Sequence, residues 1–262
     1  MNLDLKGKTA IVCGSSQGLG FESAREIAAL GANVILFARN EEKLKTALTR
    51  MDTSIGQKHS YLIADFNYPD QVKEAIEAFL QEGASVQILV NNSGGPKGGP
   101  LLEATESEFI EAIHRHLLCS HILVKALIPS MKASGFGRII NIISTSVKQP
   151  IAGLGVSNTT RGAMASWSKT LAAEVGPFGI TVNNVLPGYT RTARYDQLMH
   201  ASSLKTGKPV EELEKAMIES IPLRRVGNAA DFGTVVAFLC SPSAGYISGT
   251  NIPVDGGRLL CL

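Results

Sequence analysis

Short apolar runs separated by segments of helical length govern what this chain can become. TAIVCG (9–14), NVILFA (33–38), SYLIAD (60–65), VQILVN (86–91), GRIINII (137–143) and GITVNNVLP (179–187) are rich in Val and Ile. Each is bounded by Gly, Asn, Asp or Pro, the mark of a buried strand. A seventh strand is expected at TNIPV (250–254). Amphipathic segments of helical length lie between them, at 18–30, 41–51, 69–82, 105–133 and 158–175. Strands that are apolar on both faces and alternate with helices require a parallel sheet covered on both sides, an α/β doubly wound fold. No internal repeat or low-complexity linker divides the 262 residues, so a single domain over 1–262 is expected. The break in the pattern is 190–220, which is polar, charged and helical in pattern. It follows the sixth strand, where such a sheet often carries a substrate lid.

Composition narrows the class. The chain is 44% hydrophobic and 18% charged, with a formal net charge of +2. Its basic residues are scattered, so nothing argues for nucleic acid. Cys13, Cys119, Cys240 and Cys261 are far apart and show no CxxC spacing, which fits reduced thiols rather than disulfides or a metal site. No apolar stretch reaches bilayer length and the start lacks a secretion signal, so a soluble cytoplasmic protein without a membrane partner is expected.

The first strand runs into GSSQGLG (14–20), which opens a helix. Gly14, Gly18 and Gly20 let backbone amides approach a pyrophosphate, and the helix N-terminus adds a field that favours the anion. Strand before and helix after are the context that makes a glycine pattern a dinucleotide site. Ser16, Gln17 and Leu19 share the loop. At the end of the second strand, Ala38 and Arg39 stand where an NAD site holds a carboxylate for the ribose 2′-hydroxyl. A guanidinium without that carboxylate favours a 2′-phosphate, hence NADP(H) over NAD(H), unless Arg39 is a solvated helix-start residue. Asp65 either accepts from an adenine amino group or caps the next helix.

Six ordered motifs now stand together: GSSQGLG (14–20), ADFN (64–67), VNNSGG (90–95), GRIINIIS (137–144), VNNVLPGYTRT (182–192) and ISGTNIPVDGG (247–257). Together they resemble the short-chain dehydrogenase/reductase family over essentially the whole chain, and within it the 3-oxoacyl-acyl-carrier-protein reductase branch. The resemblance implies a seven-stranded Rossmann sheet, a nicotinamide cofactor, hydride transfer between nicotinamide and a carbonyl or alcohol carbon, and a homotetramer. It further implies that Asn91, Ser93, Gly94, Pro187, Gly188, Thr190 and Thr192 contact the cofactor. For Thr190 and Thr192 the alternative is N-capping of the helix that follows.

The family's chemistry uses an Asn, a Ser, a Tyr and a Lys. Ser144 follows GRIINII as the family's serine does. Thirteen residues on, the Tyr position is Ser157, and four further the Lys position is Arg161. The Asn position, seven after Phe109, is His116. Ser157 and Arg161 share a helix face at i, i+4, and Phe109, Ile113 and His116 are expected to share another. A serine hydroxyl has no usable acidity near neutrality, and arginine stays protonated. Histidine alone of the set titrates near pH 7. One reading follows: Ser144 polarises a substrate oxygen, Arg161 stabilises negative charge, and His116 supplies the proton through water. Tyr189 is a second candidate donor, and His116 is otherwise a satisfied core residue. Lys97, in the loop NNSGGPKGGP (91–100), either meets an anionic substrate or is solvated. Two functions remain open. The chain is an NADP(H)-dependent carbonyl reductase with a rearranged proton relay, its substrate free or carrier-linked, or it is a catalytically degenerate NADP(H)-binding sensor or scaffold.

Overall fold

The computed structural model describes residues 1–261 and forms one seven-stranded, all-parallel sheet. Its strands are β1 (Thr9–Cys13), β2 (Asn33–Ala38), β3 (Ser60–Ile63), β4 (Ile88–Asn91), β5 (Gly137–Ile142), β6 (Ile180–Pro187) and β7 (Asn251–Val254). The helices are α1 (Gly18–Ala29), α2 (Glu41–Leu48), α3 (Pro69–Gln81), α4 (Glu106–Ile113), α5 (Cys119–Ser134), α6 (Gly155–Val175), α7 (Ala193–Thr206), α8 (Val210–Glu219) and α9 (Ala229–Cys240). The spatial order is β3-β2-β1-β4-β5-β6-β7, so the winding reverses between β1 and β4. That reversal opens a crevice beyond the carboxyl ends of the strands. Among the described residues no helix is long and apolar enough to cross a membrane.

The pleat sorts the strand residues onto two cores. Val12, Val34, Leu36, Ile88, Val90 and Ile140 pack with α1, α2 and α9 on one face. Ile11, Ile35, Phe37, Leu89 and Ile139 pack with α3, α5 and α6 on the other. Period-2 side chains that find helices on both sides are why these strands read as continuous apolar runs.

The expected helix over 105–133 is interrupted. α4 and α5 are joined by a π-helical turn, His114–Leu118. Its wider winding breaks the angular phase assumed for an unbroken helix. Ile113 is 42% exposed while His116 is buried, so the expected common face of Phe109, Ile113 and His116 does not form. The helix expected over 158–175 starts earlier, at Gly155. Its polar opening is spent locally. Asn158 holds the backbone of Ile151 with both ends of its amide, and the hydroxyls of Thr159 and Thr160 donate to the carbonyls of Gly155 and Val156.

One polar row crosses the second face of the sheet. Asn91, Asn141, Asn184 and Asn251 are register partners on β4, β5, β6 and β7. Asn91 Nδ2 donates to Asn141 Oδ1 at 2.8 Å, Asn141 Nδ2 to Asn184 Oδ1 at 3.1 Å, and Asn184 Nδ2 to Asn251 Oδ1 at 2.8 Å. Asn141 also donates to Ser168 Oγ on α6 at 2.9 Å. Buried amides are costly unless paired, and register makes the pairing possible. Replacing the buried Asn141 by Leu strands Asn91 Nδ2 and Asn184 Oδ1. We expect a loss of about 2–4 kcal/mol in denaturant unfolding. Asn251→Ala, at the half-buried end of the row, is expected to cost under about 1 kcal/mol. Equal losses at the two positions would contradict this account.

Candidate functional site

The crevice is a cavity of about 640 Å³ lined by the carboxyl ends of β1, β2, β3, β4 and β6 and by the start of α7. Its floor is the turn from Gly14 to Gly18, both at positive φ. A Cβ on Gly14 would stand 2.7 Å from Asn92 Nδ2, and one on Gly20 would stand 2.4 Å from the Gly14 carbonyl oxygen. The turn therefore closes only with glycine at both positions. α1 then begins without a side-chain cap and without an acid in its first turn. Its leading amides are left for an anion in the crevice.

Most residues expected at a cofactor meet this cavity. Gly14, Ser16, Gln17, Gly18, Leu19, Arg39, Asp65, Ser93, Gly94, Pro187, Gly188, Thr190 and Thr192 all line it, as does Tyr189. Two expected contacts do not. Gly20 is turned against Gly14, and Asn91 lies beneath, in the asparagine row. Arg39 and Asp65, each assigned a separate part of a nucleotide, stand 3.5 Å apart as an ion pair. The Arg39 side chain is 69% exposed, so that pair is weak. Thr192 Oγ1 accepts from Tyr195 N–H as the N-cap of α7 while also facing the cavity. The guanidinium of Arg258 covers the Tyr189 ring at 4.5 Å. Lys97 is exposed, 3.9 Å from Glu108, and is not among the described residues lining the crevice.

Under the crevice, between β4, β5, the π-helical turn and α6, lies a second cavity of about 10 Å³. His116 and Arg161 line this smaller space and not the crevice, which adjoins it through Phe66, Asn92, Ser93 and Arg115. Neither Ser144 nor Ser157 is among the described residues that line either cavity. The four positions read from the sequence as one set are thus split. Ser144 accepts from Ser146 N–H at 3.0 Å, which leaves its hydroxyl hydrogen free, and Ser157 is half-buried on the first turn of α6. His116 Nδ1 lies 2.6 Å from Ser93 Oγ, and Ser93 lines both cavities. Arg161 donates to the Ile142 carbonyl at 3.1 Å. Among the described residues no carboxylate lines the small cavity.

Electrostatics corrects the role expected of His116. Burial first, then the charges of Arg161 and Arg115, hold its pKa well below the usual imidazole range. It stays neutral at pH 7 and does not titrate there. Burial, and then Arg115, push the Arg161 guanidinium down to about 10, so it remains charged. Arg115 is the residue the sequence reading missed. It donates twice to Asn67 Oδ1, at 2.9 and 2.6 Å, and once to the Gly94 carbonyl, at 3.3 Å. It thereby ties the loop after β3 to the loop after β4. Its signal was hidden by the π turn, whose irregular phase turns both Arg115 and His116 toward the site.

Comparison with known proteins bears on the fold and the family. Residues 14–258 match a family model described as enoyl-(acyl carrier protein) reductase. The chain is 32% identical over 258 residues to the 3-oxoacyl-[acyl-carrier-protein] reductase FabG of Haemophilus influenzae, covering 98% of this chain and 100% of that protein. It is 35% identical over 255 residues to a tropinone reductase homologue of Arabidopsis thaliana, covering 97% of this chain and 90% of that one. Among solved structures, L-sorbose reductase from Gluconobacter frateurii, crystallised with NADPH and L-sorbose, superposes with a TM-score of 0.93 at 28% identity over all of both chains.

The depressed His116 pKa has a measurable consequence for stability. On unfolding the imidazole regains its ordinary pKa near 6.5 and takes up a proton below it. The unfolded state then binds more protons than the folded one, so stability falls as pH drops below about 6.5. The expected slope is about 1.4 kcal/mol per pH unit from this residue alone. Denaturant unfolding at several pH values between 5 and 8 measures it. His116→Gln should be less acid-sensitive than wild type by that slope, and parallel profiles would refute the assignment.

Proposed function

The chain belongs to the short-chain dehydrogenase/reductase family, and from that premise we propose that it is an NADP(H)-dependent oxidoreductase that reduces a carbonyl group on a small or carrier-linked substrate. The observation that carries this reading is the crevice at the sheet's winding reversal, with the glycine turn and the uncapped α1 at its floor. Those amides suit a pyrophosphate. Arg39, which stands at the end of β2 where a carboxylate would favour NAD, suits a 2′-phosphate. The dinucleotide, when bound, supplies the hydride.

The protein's part in the reaction is to bind and to stabilise charge. Ser144 lies half-buried just past β5, outside both cavities, with its oxygen held by Ser146 N–H and its hydrogen free, so it donates to a substrate oxygen that reaches past the crevice lining. The charges of Arg161 and Arg115 lower the energy of the alkoxide that forms there. Ser157 is too weak an acid to protonate it, and a neutral, depressed His116 is no acid at pH 7. Water in the crevice therefore delivers the proton, in place of the His116 relay expected from the sequence. Tyr189, under Arg258, packs against the cofactor end rather than donating.

The segment 190–220 serves as the substrate lid of a single domain. Its α7 brings Tyr195 and Leu198 to the crevice wall. Tyr195 and Met199 pack against Leu213 and Met217 of α8, and Glu214 binds Arg191 and the Tyr195 hydroxyl. Ile110, Ile113 and Leu118 stay exposed around α4 and the π turn, an apolar face that suits a homotetramer in the cytoplasm. A second reading, an NADP(H)-binding sensor or scaffold, draws on one observation. His116 and Arg161 line the smaller cavity and not the crevice, and no phenol stands at Ser157.

Titration with NADPH and NADH, followed by turnover on a panel of carbonyls, separates the readings. The expected result is tighter binding of NADPH and slow reduction whose rate is flat between about pH 6 and 8. Ser144→Ala should lower that rate by about 100-fold while leaving NADPH affinity within about threefold. Tight binding without turnover on any carbonyl would favour the sensor, and binding of neither nucleotide would sink both readings.

A further inference from the structure

Three residues that line the small cavity each carry a buried polar atom without a hydrogen-bond partner among the described residues: Asn91 Oδ1, His116 Nε2 and Arg161 Nε. Their residues are 5%, 3% and 7% exposed. So many orphans around one cavity are rare in a folded protein, where buried polar atoms are paired. A cavity of about 10 Å³ with these three polar residues on its wall suits one water molecule.

Counting donors and acceptors fixes how that water sits. Asn91 Nδ2 is spent on Asn141, so Asn91 offers only its carbonyl oxygen, an acceptor. Arg161 Nε–H is a donor. A water that accepts from Arg161 and donates to Asn91 has one hydrogen left. His116 Nε2 can take that hydrogen only if it carries none itself. With a hydrogen on Nε2 instead, two donors would crowd the water and one of its own hydrogens would be stranded. The guanidinium charge also favours a bare lone pair nearby over an N–H dipole. The imidazole hydrogen therefore lies on Nδ1, and the 2.6 Å contact is Nδ1–H donating to Ser93 Oγ. Ser93 keeps its own hydroxyl hydrogen, and it lines the large crevice as well as the small cavity.

We propose that one buried water, held by Asn91, Arg161 and His116, sets the His116 tautomer and so makes the Ser93 hydroxyl a hydrogen-bond donor to an oxygen of the dinucleotide's ribose–diphosphate backbone. The proposal rests on the dinucleotide reading above for the identity of the acceptor. Ser93 is the residue that touches the ligand, and His116 is a positioning residue behind it. The same electrostatics denies the Ser93–His116 pair a nucleophilic role. No carboxylate among the described residues lining the cavity would stabilise an imidazolium, and the charged groups there are Arg115 and Arg161.

Two measurements test this, one with no nucleotide present. In ¹⁵N-labelled protein, the ring nitrogens of His116 should show a protonated Nδ1 and a bare Nε2 between pH 5.5 and 8, and a protonated Nε2 would overturn the proposal. By calorimetry, Ser93→Ala should raise the NADPH dissociation constant about five- to tenfold, roughly the worth of one hydrogen bond. His116→Gln should raise it similarly in the wild-type background. It should add nothing in Ser93→Ala, because it acts through that hydroxyl. An unchanged constant in Ser93→Ala, or additive effects in the double variant, would overturn the donor role. Failure of the wild type to bind any dinucleotide would instead remove the reading on which the acceptor rests, while the tautomer result would stand on its own spectrum.

Discussion

A guanidinium buried beside the crevice without a carboxylate is the constraint on which the site depends. Burying a charge is expensive unless something offsets it, and here no acid among the residues lining its cavity does so. Its direct partner is a dipole, the Ile142 carbonyl at 3.1 Å. The asparagine row donates in one direction throughout, from β4 toward β7, so each amide polarises the next. Its oxygen-bearing end is Asn91 Oδ1, and Asn91 lines the same cavity as Arg161. The row thus joins four strands and ends in a partial negative charge on a residue that shares a cavity with a full positive one. The sheet and the site are stabilised by one set of side chains.

The same charge decides what chemistry is left. Burial, and then the charges of Arg161 and Arg115, make an imidazolium unfavourable at His116, and the two guanidinium groups favour developing negative charge nearby. A site so arranged stabilises an anion well and moves protons poorly. This inverts the division of labour expected when histidine was taken as the titrating member, and it shifts weight from proton transfer to charge stabilisation.

The fold was legible because it follows from local patterns. Continuous Val- and Ile-rich runs, such as NVILFA (33–38), admit burial on both faces and nothing else, and the glycines at 14, 18 and 20 have an equally specific steric demand. The geometry of the site was less legible, because its residues meet through register and phase. An asparagine inside each of VQILVN, GRIINII, GITVNNVLP and TNIPV announces a buried amide in need of a partner. That the four partners are one another depends on strand alignment, which composition does not encode. Arg115 and Ile113 were hidden by the π turn, since periodicity arguments assume 3.6 residues per turn throughout. Arg161 was placed correctly on its helix, yet its burial away from the crevice depends on how α6 leans on β5.

The π turn also separates the site from the scaffold. A single π turn amounts to one residue inserted into an α-helix, and α4 and α5 keep their own packing on either side of it. Removing one residue between 114 and 118 would restore an unbroken helix without disturbing the faces that Leu123, Leu127 and Met131 bury. What would change is which side chains look inward at the join. The crevice's clamp and the cavity's imidazole both sit on this insert. Both are therefore editable by a one-residue change in chain length, a lever distinct from any substitution, and one that leaves the sheet beneath them intact.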